Sequence, residues 1–134
     1  MYPSYSNGDI LILNKEKTVT NGDIIVFESP ESWLSESSTF IKRVIAQEGD
    51  LVEITKNSIT VNGEVLNVKK EDCEEVQENS FVIVGPNYLT LGDNHNRSND
   101  GVSQYCKGNE EFLVSEDSIV TNGKQFLLIG GWFD

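Results

Sequence analysis

The chain has 134 residues, with 10 Lys and Arg against 22 Asp and Glu, which gives a formal net charge of -12. With 37% apolar residues it has the balance of a globular chain rather than a disordered one, and its acidity argues against a nucleic-acid partner, which needs a basic face. Its longest apolar runs are about a strand in length, well short of the roughly 20 residues that span a bilayer, and no targeting segment is visible at its start.

The length fits one domain, 1-134. Helix signals are poor, while short segments rich in β-branched residues recur between Gly, Asn and Asp. Asp9 to Leu13 reads as a strand after Asn7-Gly8, and Asp23 to Phe27 as a second after Asn21-Gly22. Glu28 to Thr39, with Pro30 and five serines, reads as an exposed loop. Phe40 to Ala46 is a third strand, ended by Glu48-Gly49-Asp50. Leu51 to Ile54 and Ser58 to Val61 read as a hairpin about Lys56-Asn57. Asn62-Gly63, a strong two-residue hairpin signal, then turns the chain into Glu64 to Val68. The acidic run from Glu71 to Glu78 reads as a solvated loop, or more sharply as a face for basic peptide segments. Phe81 to Val84 and Tyr88 to Leu91 are strands joined across Gly85-Pro86-Asn87, and Asn94 to Glu110 is a second polar loop. Ile119-Val120 precedes an Asn122-Gly123 turn, and Phe126 to Ile129 ends at Gly130-Gly131. The expected fold class is mostly β, with antiparallel β-sheets and long polar loops.

Cys73 and Cys106 are compatible with one disulfide in an oxidising compartment and with two free thiols. There is no paired His or Cys spacing of the zinc kind, so neither metal nor cofactor is expected. His95, the sole histidine, reads as a surface-loop residue.

Four segments in order carry the chemistry. The first is Met1-Tyr2-Pro3-Ser4 with Asn7-Gly8-Asp9 after it, and the second is Gly22-Asp23-Ile24-Ile25-Val26-Phe27. The third is Phe40-Ile41-Lys42-Arg43-Val44-Ile45, followed by Gly49-Asp50 and Val61-Asn62-Gly63. The fourth is Leu91-Gly92-Asp93-Asn94, followed by Ser98 and Asp100. Together they resemble the type I signal peptidases, most closely the short Gram-positive kind. In that family the first segment reads Ser-Met-x-Pro-Thr, the third Tyr-Ile-Lys-Arg-Val, and the fourth Gly-Asp-Asn with a downstream Ser-x-Asp-Ser-Arg.

The resemblance implies a signal-peptidase-like fold and acyl transfer by a Ser/Lys dyad. The substrates would be signal peptides of exported preproteins. The catalytic domain would lie on the extracytoplasmic side of the cell membrane, held by an anchor outside this sequence. The nucleophilic serine would stand immediately before Met1, so the 134 residues alone are expected to be inactive. Lys42 would be the general base, its amine kept neutral by desolvation, since the ordinary lysine pKa is about 10.4. A strand here puts Lys42 on one face with Phe40 and Val44, and Arg43 on the other with Ile41 and Ile45. Ser98 would hydrogen-bond the Lys42 amine, and Asp100 would pair with Arg43. Met1, Tyr2, Pro3, Phe40 and Ile41 would line the groove where substrate adds as an extended strand. Arg43, Gly92, Asp93 and Asn94 would support the site.

The chain departs from the family pattern in places. Ser4 stands at the threonine position, Ala46 and Glu48 replace a glycine and a proline, and Cys106 falls in a stretch that is usually aromatic and glycine-rich. Gly101-Val102 follows Asp100 where Ser-Arg is expected, so Asp100 lacks its arginine partner. These departures keep an alternative open, a non-catalytic signal-peptidase-like accessory protein in Gram-positive pilus assembly, with pilin subunits as partners. A self-cleaving repressor of the same superfamily would need a DNA-binding segment, which this acidic chain does not offer.

Overall fold

Alternating apolar and polar residues build three antiparallel sheets, seen here in a computed structural model that describes residues 11–13, 18–55, 58–74, 76, 78–94, 96, 98–123 and 126–128. The strands are β1 (Leu11–Leu13), β2 (Ile24–Glu28), β3 (Thr39–Gln47), β4 (Leu51–Thr55), β5 (Ser58–Val61) and β6 (Glu64–Leu66). They continue with β7 (Asn79–Val82), β8 (Asn87–Leu91), β9 (Val114–Ser115), β10 (Ile119–Gly123) and β11 (Phe126–Leu128). One short helix, α1 (Gly101–Cys106), lies between β8 and β9. The sheets run β10-β2-β3-β8-β9, β6-β5-β4-β7 and β1-β11. Among the described residues no helix is long and apolar enough to cross a membrane.

β3 is the central strand of the five-stranded sheet, pairing with β2 on one side and β8 on the other. The period of two buries Phe40, Lys42 and Val44 on one face. An extra residue at Ile45 then shifts the register, so that Val44 opposes Thr90 but Ala46 opposes Leu89. The bulge separates two cores. Val44 packs with Ile25, Phe27, Trp33, Phe40 and Tyr88. Ala46 packs with Val52, Ile54, Ile59, Leu89 and Val102 against the four-stranded sheet.

The Asn62-Gly63 turn forms as the sequence predicts. Asn62 and Gly63 both take positive φ, 50° and 85°, which a two-residue hairpin between Val61 and Glu64 requires. Asp50 locks that hairpin to the sheet: its carboxylate accepts from Asn62 Nδ2 at 2.8 Å, Asn21 Nδ2 at 2.9 Å and the Gln47 amide at 2.9 Å.

Four expectations shift. Asn122 and Gly123 are no turn; they pair within β10 with Ile25 and Ile24. The strand expected at Phe81 to Val84 lies earlier, at Asn79–Val82, because Ile83 leaves the ladder to exchange backbone bonds with Gly49 and Asp50. The loop from Glu28 to Thr39, expected to be exposed, half-buries Ser29, Pro30 and Ser32 and buries Trp33, which donates from Nε1 to the Glu111 carbonyl at 2.7 Å. The second polar stretch contains α1, whose Asp100 cap accepts from the Ser103 amide. Its first four residues are all buried, so no amphipathic stripe marks it. The strand expected from Asp9 begins in residues outside those described, as do Met1, Tyr2 and Pro3.

Cys73, in a short 3-10 turn at Glu71–Cys73, is disulfide-bonded to Cys106 at the end of α1. A crosslink 33 residues apart stabilises by roughly 3–4 kcal/mol in the chain-entropy model. Thiol titration of the denatured, unreduced protein should therefore find no free thiol, and Cys73→Ser/Cys106→Ser should melt lower. Burial pushes the Asp50 carboxyl up, but its bonds to Asn21, Gln47 and Asn62 outweigh burial and leave it below the usual carboxylate range. Its stabilising effect is then complete above the ordinary carboxylate pKa and lost as pH falls through the lowered one. In denaturant titrations, Asp50→Asn should be less stable than wild type near neutrality, and the difference should shrink in acid.

Candidate active site

The carboxylate of Asp100 has no exposed surface and must be satisfied from within. Oδ1 accepts from the Ser103 amide at 2.9 Å, which caps α1, and Oδ2 accepts from the Gly92 amide at 2.9 Å. The same Oδ2 takes an ion pair from Lys70 Nζ at 3.0 Å. Lys70 also donates to the Ser98 carbonyl at 3.2 Å, and Ser103 Oγ donates there at 2.8 Å. The Ser98 amide donates to the Asn94 carbonyl at 3.0 Å. Ser98 is thus fixed at both ends of its backbone, with its hydroxyl left to face β3.

There it meets Lys42, which is fully buried and donates from Nζ to Ser98 Oγ at 2.7 Å. The Phe40 ring, two residues earlier on the same face, lies 5.6 Å from the amine. Phe40 stacks edge-on with Trp33 at 5.5 Å, so the serine-rich loop helps to wall off this side of β3. Gly92 admits the contact: a β-carbon there would overlap Ser98 Oγ and Cβ and come within 3.3 Å of Lys42 Nζ. Ile41 is buried on the other face of β3.

The expected pairing of Asp100 with Arg43 is corrected. Arg43 lies on the face of β3 opposite Lys42 and reaches Asp93 instead, through Nε and Nη2 at 3.1 Å each, with Nη1 on the Gly22 carbonyl at 2.9 Å. Asp100, which lies on the Ser98 side, is neutralised by Lys70. Sequence reasoning missed Lys70, which sits beside an exposed lysine at the edge of the acidic run. The one signal available was the absent arginine after Asp100, which required another cation. Among the described residues no cluster of His, Cys, Asp and Glu is able to hold a metal.

Gly92→Ala should separate Ser98 from Lys42. A core clash of this kind costs about 1–3 kcal/mol, so a lower melting temperature is expected, along with loss of any activity that depends on the Lys42–Ser98 contact.

The signal peptidase, peptidase S26, family matches residues 1–127. Thylakoidal processing peptidase 1 of Arabidopsis thaliana is 31% identical over 123 residues, which is 75% of this chain and 33% of that protein. A signal peptidase I P from Bacillus subtilis subsp. natto is 27% identical over 135 residues, 90% of this chain and 71% of that one. The chain spans 54% of a further relative, a signal peptidase I from Leptolyngbya laminosa. In fold it is similar to a signal peptidase I from Enterococcus faecalis V583, with a TM-score of 0.53 and 23% identity over 78% of this chain and 96% of that one. With the family matched along nearly the whole sequence and the fold shared, the chain belongs to the signal peptidase (peptidase S26) family.

Proposed function

We propose that this chain forms the catalytic domain of a type I signal peptidase, which cleaves signal peptides from exported preproteins with Lys42 as general base. The observation that carries this reading is the 2.7 Å contact between the buried amine of Lys42 and the hydroxyl of Ser98. A neutral amine has two N–H bonds and one lone pair. Donating to Ser98 fixes the rotation of the amine and leaves the lone pair to take a proton. Burial favours that neutral state, because an ammonium loses its hydration.

The nucleophile in this reading is a serine directly ahead of Met1. Its hydroxyl gives its proton to Lys42 as oxygen attacks the scissile carbonyl. The lysine returns the proton to the leaving amine, and an acyl-enzyme remains. Water then attacks the ester, again with its proton passing to Lys42, and the serine is released. Met1, Tyr2 and Pro3, with the strand backbone at Phe40 and Ile41, hold the substrate as an added strand. The Cys73–Cys106 bond supports an oxidising, extracytoplasmic location for a domain anchored in the membrane. The intact Lys42–Ser98 contact favours this reading over that of a non-catalytic accessory protein acting on pilin subunits.

With serine placed before Met1, the protein should cleave a quenched-fluorescent peptide that carries small residues ahead of the scissile bond. The rate should rise with pH as Lys42 loses its proton. Lys42→Ala should lower turnover by about a thousandfold or more, with the folded state confirmed by circular dichroism. Turnover near the wild-type rate in that variant would refute the base assignment.

A further inference from the structure

A second fully buried lysine stands behind the Lys42–Ser98 contact. Lys70 closes an extended segment after β6 in which Val68 and Lys70 turn inward while Lys69 stays exposed. The 3-10 turn that follows it is bonded through Cys73 to Cys106, six residues beyond Asp100. Lys70 is thus held against α1 from a distant part of the chain. Its ammonium touches the Ser98 carbonyl at 3.2 Å and Asp100 Oδ2 at 3.0 Å. Asp100 in turn accepts from the Gly92 amide, and Gly92 lies directly against Lys42 and Ser98.

We infer that Lys70 is a positioning residue for the reaction proposed above. It holds the Ser98 backbone so that the hydroxyl meets the Lys42 amine, and it neutralises the buried carboxylate of Asp100. This rests on the reading that Lys42 is the base. It accounts for the missing arginine after Asp100, since the cation comes from a different segment of the chain.

Other charged groups near β3 are engaged elsewhere among the described residues. Asp23 accepts from the Thr20 amide, and Glu28 accepts from Thr39 at the far end of β2. Arg43 and Asp93 bind each other across the opposite face of β3. The Lys70–Asp100 pair is the charged pair that contacts Ser98. A carboxylate left uncompensated beside Lys42 favours the ammonium form of that lysine, while loss of the carboxylate favours the neutral amine.

Steady-state kinetics over a pH series, on the protein with serine before Met1, test the inference. Lys70→Met is expected to lower kcat about tenfold or more while KM stays within about threefold. The acidic limb of its pH–rate profile should move to higher pH. Asp100→Asn should move that limb to lower pH, and Lys70→Arg should leave it in place. A lysine that only stabilised the fold would not produce opposite movements. Should Lys70→Met fail to fold, Lys70→Met/Asp100→Asn removes both buried charges and leaves neither unpaired. That variant should fold and turn over slowly, with its limb near the wild-type position. Wild-type kcat with an unmoved limb in folded Lys70→Met, or wild-type kcat in the double variant, overturns the inference. Lys42→Ala separates the two layers. If it retains turnover, the base assignment fails; if it is inactive while Lys70→Met is unchanged, the role of Lys70 alone fails.

Discussion

Asp100 is a carboxylate with no exposed surface, and burying such a charge costs several kcal/mol unless it is paired and hydrogen-bonded. Three elements meet to satisfy it: the start of the loop after β8 through the Gly92 amide, the first turn of α1 through the Ser103 amide, and the segment after β6 through Lys70. Each donor comes from a different stretch of chain, so the carboxylate ties the three together beside the core that holds Val68, Leu91 and Val102. The position of Ser98 follows from that tie. Two residues before Asp100, it has its carbonyl gripped by Lys70 and Ser103, and its hydroxyl is directed to β3.

β3 supplies the other half of the contact through strand geometry alone. Side chains alternate, so consecutive residues Lys42 and Arg43 serve opposite faces and meet different partners, Ser98 and Asp93. The two lysine and arginine neighbours therefore belong to separate networks despite being adjacent in sequence. The bulge at Ile45 ends this arrangement by sending Ala46 into the core shared with Leu89. A residue at Ala46 with a larger side chain would have to fit between strands already packed on both sides.

Much of this was legible in the sequence because it depends on short-range rules. The Asn62-Gly63 hairpin needs two positive φ values, and those residue types adopt them readily. The face shared by Phe40, Lys42 and Val44 needs only a period of two. What was not legible depends on distant partners. Lys70 is separated from Asp100 by 30 residues, and its neighbour Lys69 has the same side chain yet stays exposed. Helix α1 has too few residues and too little exposed surface to show a helical period. Trp33 lies in a serine-rich loop and is buried only because residues near Glu111 and Phe40 fold over it.

The departures from the family pattern can be ranked by what surrounds them. Val102, where an arginine is expected, is fully buried in the core with Ala46, Val52 and Leu89. An arginine at that point would bring a long charged side chain into an apolar cluster. The valine extends the core, and Lys70 meets the charge of Asp100 from the other side of α1's cap. Cys106 fits the same account. Its bond to Cys73 ties the segment that carries Lys70 to the helix that Asp100 caps. Asp100 is thus paired with a lysine 30 residues away in sequence, and a disulfide lies beside that pair. Without an arginine after it, the buried carboxylate is satisfied by Lys70, the Gly92 amide and the Ser103 amide.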